Sequence, residues 1–166
     1  MIEVTRFRPD LLLKALSDGG VRFVIVGGMA AQVHGSPSLT GDLDICHSLD
    51  RDNLDRLAAV LGDLAAIRRG LPDGVLAPLD ARALRAADVL TLTTTNGDLD
   101  LLAHPEPRLD NDVLMRTAIA TEILGVKVLV ASLEDVIAMK RAAGRPKDLI
   151  ELEILGALRE EIDRRD

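Results

Sequence analysis

The fold of this chain is decided by the stretch Thr40-Gly41-Asp42-Leu43-Asp44-Ile45-Cys46, which joins a loop to a short apolar strand carrying two carboxylates. Residues 35–41 (Gly-Ser-Pro-Ser-Leu-Thr-Gly) have the composition of a loop. Residues i and i+2 of a strand share a face, so Asp42 and Asp44 are predicted to point the same way while the apolar residues beside them enter the core. Two adjacent carboxylates repel each other unless a cation lies between them, so this strand is a candidate Mg²⁺ site.

The Asp-x-Asp spacing on its own is a weak signal, because it occurs four times, at 42/44, 50/52, 98/100 and 110/112. The 50/52 and 110/112 pairs stand at predicted helix starts, where the helix dipole stabilises negative charge. Asp98 and Asp100 share one face of a second predicted strand. We expect one of them to complete a site with Asp42 and Asp44, although solvated strand edges would explain both pairs without a metal.

The stretch Val24–Met29 (Val-Ile-Val-Gly-Gly-Met) predicts a strand, a turn and a helix. Glycines at such a turn let backbone N–H groups approach an anion, which suits the phosphates of a nucleotide. The stretch contains no Gly-Lys-Ser/Thr and no Gly-x-Gly-x-x-Gly, so it is neither a Walker loop nor a dinucleotide fingerprint. A simple tight turn is the alternative explanation of Gly27 and Gly28.

The rest of the chain alternates helices with short strands and then favours strand pairs. Predicted helices cover 8–17, 29–34, 50–61, 110–115, 132–143 and 146–162, and predicted strands cover 21–26, 43–46, 89–94, 98–103, 118–124 and 126–130. Residues 62–87 are the least regular, with a short strand at 65–68 and a helical turn at 81–87. The pattern predicts an α+β protein with a small mixed β-sheet flanked by helices. We expect a single domain over 1–166 that ends in a two-helix segment at about 132–163.

Composition narrows the possible functions. Hydrophobic residues make up 48% of the chain and aromatic residues 1%, so we expect a core of Leu, Val, Ile and Ala. Base stacking on aromatic side chains is nearly excluded, and the net charge of −7 opposes an extended phosphate-binding surface. Basic residues nevertheless collect after Met139, which is compatible with a local basic wall.

Three further features bear on location. Cys46 is the one cysteine, so an internal disulfide is excluded and a reducing cytoplasm is the expected location. The first six residues lack the basic-then-apolar pattern of a secretion signal. No apolar run reaches the roughly 18 residues that a membrane-spanning helix needs, so we expect no membrane partner.

Gly27-Gly28, the stretch from Thr40 to Asp44 and the later Asp100 together resemble the signature of the nucleotidyltransferase superfamily, the polymerase-beta-like palm. The resemblance implies an Mg²⁺-dependent enzyme in which the glycine turn and Thr40 contact a nucleoside triphosphate. It also implies two Mg²⁺ ions held by three catalytic carboxylates, Asp42, Asp44 and Asp100. Asp98 is the less favoured choice for the third position.

The C-terminal part resembles the nucleotidyltransferase toxins of type IV toxin–antitoxin systems, in the stretches 133–140 (Leu-Glu-Asp-Val-Ile-Ala-Met-Lys) and 144–149 (Gly-Arg-Pro-Lys-Asp-Leu). In those toxins a lysine and a downstream aspartate belong to the functional motif, and Lys140 and Asp148 match their positions. The resemblance implies that both residues bind the nucleotide, that Lys140 is also catalytic, and that an antitoxin is a partner. The chain differs from the family pattern in two respects. We expect no large C-terminal helical domain, and the chain has Gly27-Gly28 where many active relatives have Gly-Ser.

Three functions remain open at this point. The first is transfer of a nucleoside monophosphate from an NTP to a hydroxyl acceptor, such as tRNA for a toxin, and it predicts a basic rim around the carboxylates. The second is modification of a small molecule, as in aminoglycoside nucleotidyltransferases, and it predicts an acidic rim suited to a cationic drug. The third is a catalytically silent binding module, which predicts that the three carboxylates do not converge.

Overall fold

The computed structural model describes residues 6–166, so residues 1–5 of the predicted domain lie outside the described residues. Within that range seven strands form one sheet. They are β1 (Phe23–Val26), β2 (Asp42–His47), β3 (Ile67–Arg68), β4 (Val89–Thr94), β5 (Gly97–Leu102), β6 (Ile119–Ile123) and β7 (Val126–Val130). Their order is β3-β4-β5-β2-β1-β7-β6. Because β2 pairs antiparallel with β1 and parallel with β5, the predicted mixed sheet is confirmed.

Helices flank this sheet, as the α+β prediction requires. They are α1 (Pro9–Asp18), α2 (Gly27–Val33), α3 (Arg51–Asp63), α4 (Ala81–Ala86), α5 (Asn111–Thr117), α6 (Leu133–Ala143) and α7 (Pro146–Arg165). Ser132 begins α6 by accepting a hydrogen bond from the Asp135 N–H at 3.1 Å, and Gly144, with a φ of +63°, ends it. Across residues 6–166, no helix combines the length and the apolar character needed to cross a membrane.

β2 has one apolar and one acidic face. Leu43 and Ile45 are fully buried, as is Leu99 on the neighbouring β5. Side chains alternate along a strand, so Asp42 and Asp44 lie on the opposite face, where they are partly buried. The core around them consists mainly of Leu, Val, Ile and Ala, as the composition predicts.

Most elements lie within three residues of their predicted limits, and two of the differences have a clear backbone cause. α2 begins at Gly27 rather than Met29, because Gly27 adopts a φ of +67° and lets the helix start directly after β1. The strand predicted at 65–68 shrinks to Ile67–Arg68, because Ala65 takes a φ of +49° in the turn after α3. Both differences depend on left-handed backbone conformations that side-chain periodicity does not reveal.

Candidate active site

The parallel pairing of β2 with β5 brings three carboxylates together. Asp44 lies opposite Asp100, and Asp42 lies opposite Asp98. One oxygen atom from each of Asp42, Asp44 and Asp100 lies within 4.8 Å of the others, and no other group of three or more His, Cys, Asp or Glu side chains converges in this way within residues 6–166. The alternative of a catalytically silent module predicted that these three carboxylates would not converge, and in the structure they do converge.

Crowding and burial change the proton affinity of these carboxylates. Burial, followed by the negative charges of Asp42 and Asp100, raises the pKa of Asp44 to about 7. Burial is also the main reason that the pKa of Asp100 lies above its usual range. Hard oxygen donors are the ligands that Mg²⁺ prefers, and a divalent cation would offset their mutual repulsion. The donor set therefore fits a divalent metal ion.

Arg69 lies against the two carboxylates of β5, of which only Asp100 belongs to the converging group. Its guanidinium pairs with the carboxylates of both Asp98 and Asp100, and Thr93 Oγ1 donates a hydrogen bond to Asp98 at 3.1 Å. The Arg69 backbone N–H donates to the carbonyl oxygen of Thr91 at 2.9 Å, which fixes the arginine beside β4. Sequence reasoning missed Arg69, because the irregular segment 62–87 offers no pattern that assigns it a partner.

The two glycines lie directly against site residues. A Cβ atom on Gly27 would lie 2.0 Å from Asp44 Oδ2, and a Cβ atom on Gly28 would lie 2.8 Å from Thr40 Cβ. Side chains at either position would therefore displace Asp44 or Thr40. Thr40 Oγ1 in turn lies 3.0 Å from Asp42 Oδ1. The predicted glycine turn is thus part of the carboxylate site, while its contact with a triphosphate stays a prediction.

Lys140 and Asp148 meet at the junction of α6 and α7. Asp148 is fully buried, and Arg145 donates to it from Nε at 2.7 Å and from the backbone N–H at 3.1 Å. Burial alone would raise the pKa of Asp148, but the hydrogen bonds from Arg145 lower it. Lys140 Nζ lies 3.6 Å from Asp148 Oδ1. Asp148 therefore pairs with two cations, Lys140 and Arg145. Its predicted role in nucleotide binding would be to orient these two side chains.

A cavity of about 470 Å³ opens beside the carboxylates. Three basic side chains line it on the α6–α7 side, namely Lys140, Arg145 and Lys147. The glycine turn and the acidic cluster also line it, through Gly28, Thr40, Asp42, Asp44 and Asp100. Cations and carboxylates therefore line one cavity, and its volume is within the range of small-molecule binding sites.

A second cavity, of about 370 Å³, shares Asp44, Lys140 and Arg145 with the first. Its walls are largely apolar and include Leu102, Val136 and Met139. Asp88 and Glu106, both exposed, give it an acidic rim. The site thus has two adjoining cavities that share three charged side chains, and the second cavity is the more apolar of the two.

No protein-family model and no curated protein sequence matches this chain. Solved structures do match its fold. The lincomycin-bound crystal structure of the lincosamide antibiotic adenylyltransferase LnuA aligns with a TM-score of 0.60 and 15% identity, over 93% of this chain and 99% of that one. ANT(2")-Ia in complex with adenylyl-2"-tobramycin aligns with a TM-score of 0.54 and 16% identity, over 93% and 94% of the two chains.

A third match is an antigenic nucleotidyltransferase-like protein from Paracoccidioides brasiliensis, with a TM-score of 0.56 and 18% identity, over 90% of this chain and 72% of that one. These matches show that the chain has the nucleotidyltransferase fold, as predicted from Gly27-Gly28, Asp42, Asp44 and Asp100. At identities of 15–18% the likeness is one of fold.

Proposed function

We propose that this protein is a metal-dependent nucleotidyltransferase, which transfers a nucleoside monophosphate from a nucleoside triphosphate to a hydroxyl acceptor. The observation that carries the proposal is the convergence of Asp42, Asp44 and Asp100 in a cavity that also presents basic side chains. Such a cavity suits a metal–triphosphate complex, because the carboxylates attract the metal and the cations attract the phosphates.

We propose that the three converging carboxylates would hold two Mg²⁺ ions. When bound, these ions supply Lewis-acid charge at the α-phosphate and at the pyrophosphate leaving group. A bound cation would stabilise the ionised form of Asp44, because burial next to two other carboxylates raises the pKa of Asp44 to about 7. Loss of a proton from Asp44 is therefore expected to accompany metal binding.

In the transfer step, the acceptor oxygen forms a bond to the α-phosphorus and the bond to pyrophosphate breaks. Asp100 is our candidate for receiving the hydroxyl proton, because Arg69 fixes its orientation and burial raises its pKa. Lys140, whose side chain is 17% exposed, would offset the charge of the departing phosphates. Gly27, Gly28 and Thr40 would contact the nucleotide.

The second cavity favours a small cationic molecule as the acceptor. Its volume of about 370 Å³ and its apolar walls suit a compact organic molecule. The exposed carboxylates of Asp88 and Glu106 attract positive charge and repel a phosphate backbone. Lincomycin and tobramycin, the antibiotics named for two proteins of the same fold, are therefore suitable first acceptors to test.

A tRNA acceptor is the second candidate, and the observation in its favour is a group of exposed cations at the α6–α7 turn. Arg141, Arg145 and Lys147 are all exposed there, next to the first cavity. A toxin that modifies tRNA would also have an antitoxin partner and act in the cytoplasm. The acidic rim of the second cavity makes this the weaker of the two candidates.

Label transfer from each α-³²P-labelled nucleoside triphosphate, with Mg²⁺, tests the proposal. Parallel reactions contain tRNA, an aminoglycoside, a lincosamide or no acceptor. Transfer to a small cationic molecule supports our acceptor, whereas transfer to tRNA would favour the toxin. Asp42→Asn should abolish transfer, and Asp52→Asn, an exposed aspartate on α3, should not. No transfer together with no Mg²⁺-dependent nucleotide binding would contradict the enzyme.

A further inference from the structure

We propose that Thr40 is a positioning residue, which orients the Asp42 carboxylate for the metal. Thr40 can occupy its position only because residue 28 is a glycine and has no side chain. The proposal rests on the metal site of the proposed function. Thr40 is already proposed as a nucleotide contact, and here it gains a second role that acts through Asp42. The proposal also gives a physical reason for the second glycine of the turn.

The contact between Thr40 and Asp42 is local, because the two residues are two positions apart. Thr40 Oγ1 lies 3.0 Å from Asp42 Oδ1 and 3.2 Å from the main-chain oxygen of the same residue. A hydroxyl that donates a hydrogen bond to a carboxylate limits rotation of the acceptor side chain. A metal ligand whose orientation is fixed in advance binds its ion more tightly, so this contact favours metal binding by Asp42.

Gly28 leaves the space in which Thr40 lies. A Cβ atom at position 28 would meet Thr40 Cβ at 2.8 Å and Thr40 Oγ1 at 2.9 Å. Rotation of the threonine side chain would not relieve the contact, because Cβ is fixed to the main chain. Gly28 is also absent from the glycines with positive φ, so backbone conformation alone does not require glycine here. The contact with Thr40 does.

The loop that carries Thr40 is held in place from the other side. Glu151 of α7, 6% exposed, accepts hydrogen bonds from Ser36 Oγ at 2.6 Å and Ser38 Oγ at 2.7 Å. Gln32 of α2 donates to the Ser38 carbonyl oxygen at 2.9 Å. Residues 36–38 are therefore fixed to both α2 and α7, and this anchor two residues before Thr40 restricts how far Thr40 can move away from a new side chain at position 28.

Titration of the full chain with Mn²⁺, followed by electron paramagnetic resonance, tests this role. We expect Thr40→Val to weaken Mn²⁺ binding about 10-fold, as is typical when a partner of a metal ligand is removed. Thr40→Ser keeps the hydroxyl and should restore near-normal affinity. Gly28→Ala should weaken binding like Thr40→Val, because it displaces Thr40. Gly41→Ala is the matched control, since a Cβ atom there meets nothing within 4 Å.

A double-mutant cycle separates the contact from other effects of the substitutions. In the Thr40→Gly background the clash is gone, so Gly28→Ala should no longer change Mn²⁺ affinity and should raise the melting temperature, since Ala favours a helix more than Gly. In the chain that keeps Thr40, Gly28→Ala should instead lower the melting temperature, because the new Cβ atom meets Thr40.

Unchanged Mn²⁺ affinity in Thr40→Val, or equal losses in Thr40→Ser and Thr40→Val, would overturn the positioning role while leaving the metal site intact. Equal effects of Gly28→Ala in both backgrounds would overturn the explanation of the glycine. No Mn²⁺ binding by the unsubstituted chain would instead contradict the proposed function, and this role with it.

Discussion

Asp44 of β2 and Asp100 of β5 lie opposite each other in a parallel strand pair, so two carboxylates from distant parts of the sequence share one level of the sheet. A shift of one residue in this register would turn one of them toward the core. The buried alternate residues, Leu43 and Leu99, keep the register in place. The apolar core thereby determines the geometry of the acidic cluster.

Asp100 and Asp98 are expected to differ in their importance for metal binding, although both lie on the same face of β5. Arg69 pairs with both carboxylates, but Asp100 belongs to the converging group, whereas Asp98 lies outside it and accepts a hydrogen bond from Thr93. We predict that Asp100→Asn weakens Mg²⁺ binding by about 100-fold or more, and that Asp98→Asn has a much smaller effect. Isothermal titration with Mg²⁺ measures both variants, and equal losses would argue against the assignment of Asp100.

Lys140 is expected to bind the phosphates of the nucleotide. Replacement by Met removes the charge but keeps an unbranched side chain on α6, and we predict about 10-fold weaker binding of Mg²⁺–NTP. Arg141→Met is the matched control, because Arg141 is the next residue on the same helix and is exposed. Fluorescence titration with a labelled nucleotide gives both affinities. Equal losses in the two variants would indicate a general charge effect.

Asp148 is expected to contribute to stability, since it is fully buried and accepts hydrogen bonds from Arg145. Asp148→Asn should lower the free energy of unfolding by about 1–3 kcal/mol. Urea denaturation measures this change, with the exposed Glu153→Gln on α7 as the control. Full stability of Asp148→Asn together with loss of nucleotide binding would instead support direct contact with the nucleotide.

The stability of the metal-free protein is expected to depend on pH through Asp44. Its folded-state pKa of about 7 lies above the ordinary Asp value of about 3.9, so the folded state binds more protons between these values. The contribution of Asp44 to stability should therefore fall as pH rises from about 4 to about 7.

Thermal unfolding in EDTA across this pH range tests the sign. Asp44→Asn should lack this component and be more stable than the unsubstituted chain above pH 7. Asp63→Asn, at an exposed position of α3, should follow the unsubstituted chain. A stability difference between Asp44→Asn and the unsubstituted chain that does not change with pH would contradict the raised pKa.

Strand periodicity alone predicts that Asp42 and Asp44 share one face of a strand and that Asp98 and Asp100 share one face of another. No local pattern pairs β2 with β5, so the choice of Asp100 depended on the family resemblance. The helix limits at Ser132 and Gly144 were also predictable, since capping depends on adjacent residues. Local patterns of this kind survive into the fold.

Contacts between distant segments were not predictable. Arg69 comes from the irregular segment 62–87, and its pairing with β5 depends on the order of strands in the sheet. The burial of Asp148 depends on how α6 and α7 pack together. The close contact between Gly28 and Thr40 depends on how the loop 35–41 packs against the start of α2. A single sequence contains no periodic signal for any of these three relationships.

The most direct test of the account is equilibrium binding of each labelled nucleoside triphosphate, with Mg²⁺ and with EDTA, to the unsubstituted chain and to Asp44→Asn. Asp44 converges with Asp42 and Asp100 and is the strand partner of Asp100. The account predicts binding of at least one triphosphate that requires Mg²⁺ and is lost in Asp44→Asn. Binding that is unchanged in EDTA, or unchanged in Asp44→Asn, would contradict the claim that these carboxylates hold a metal-bound nucleotide.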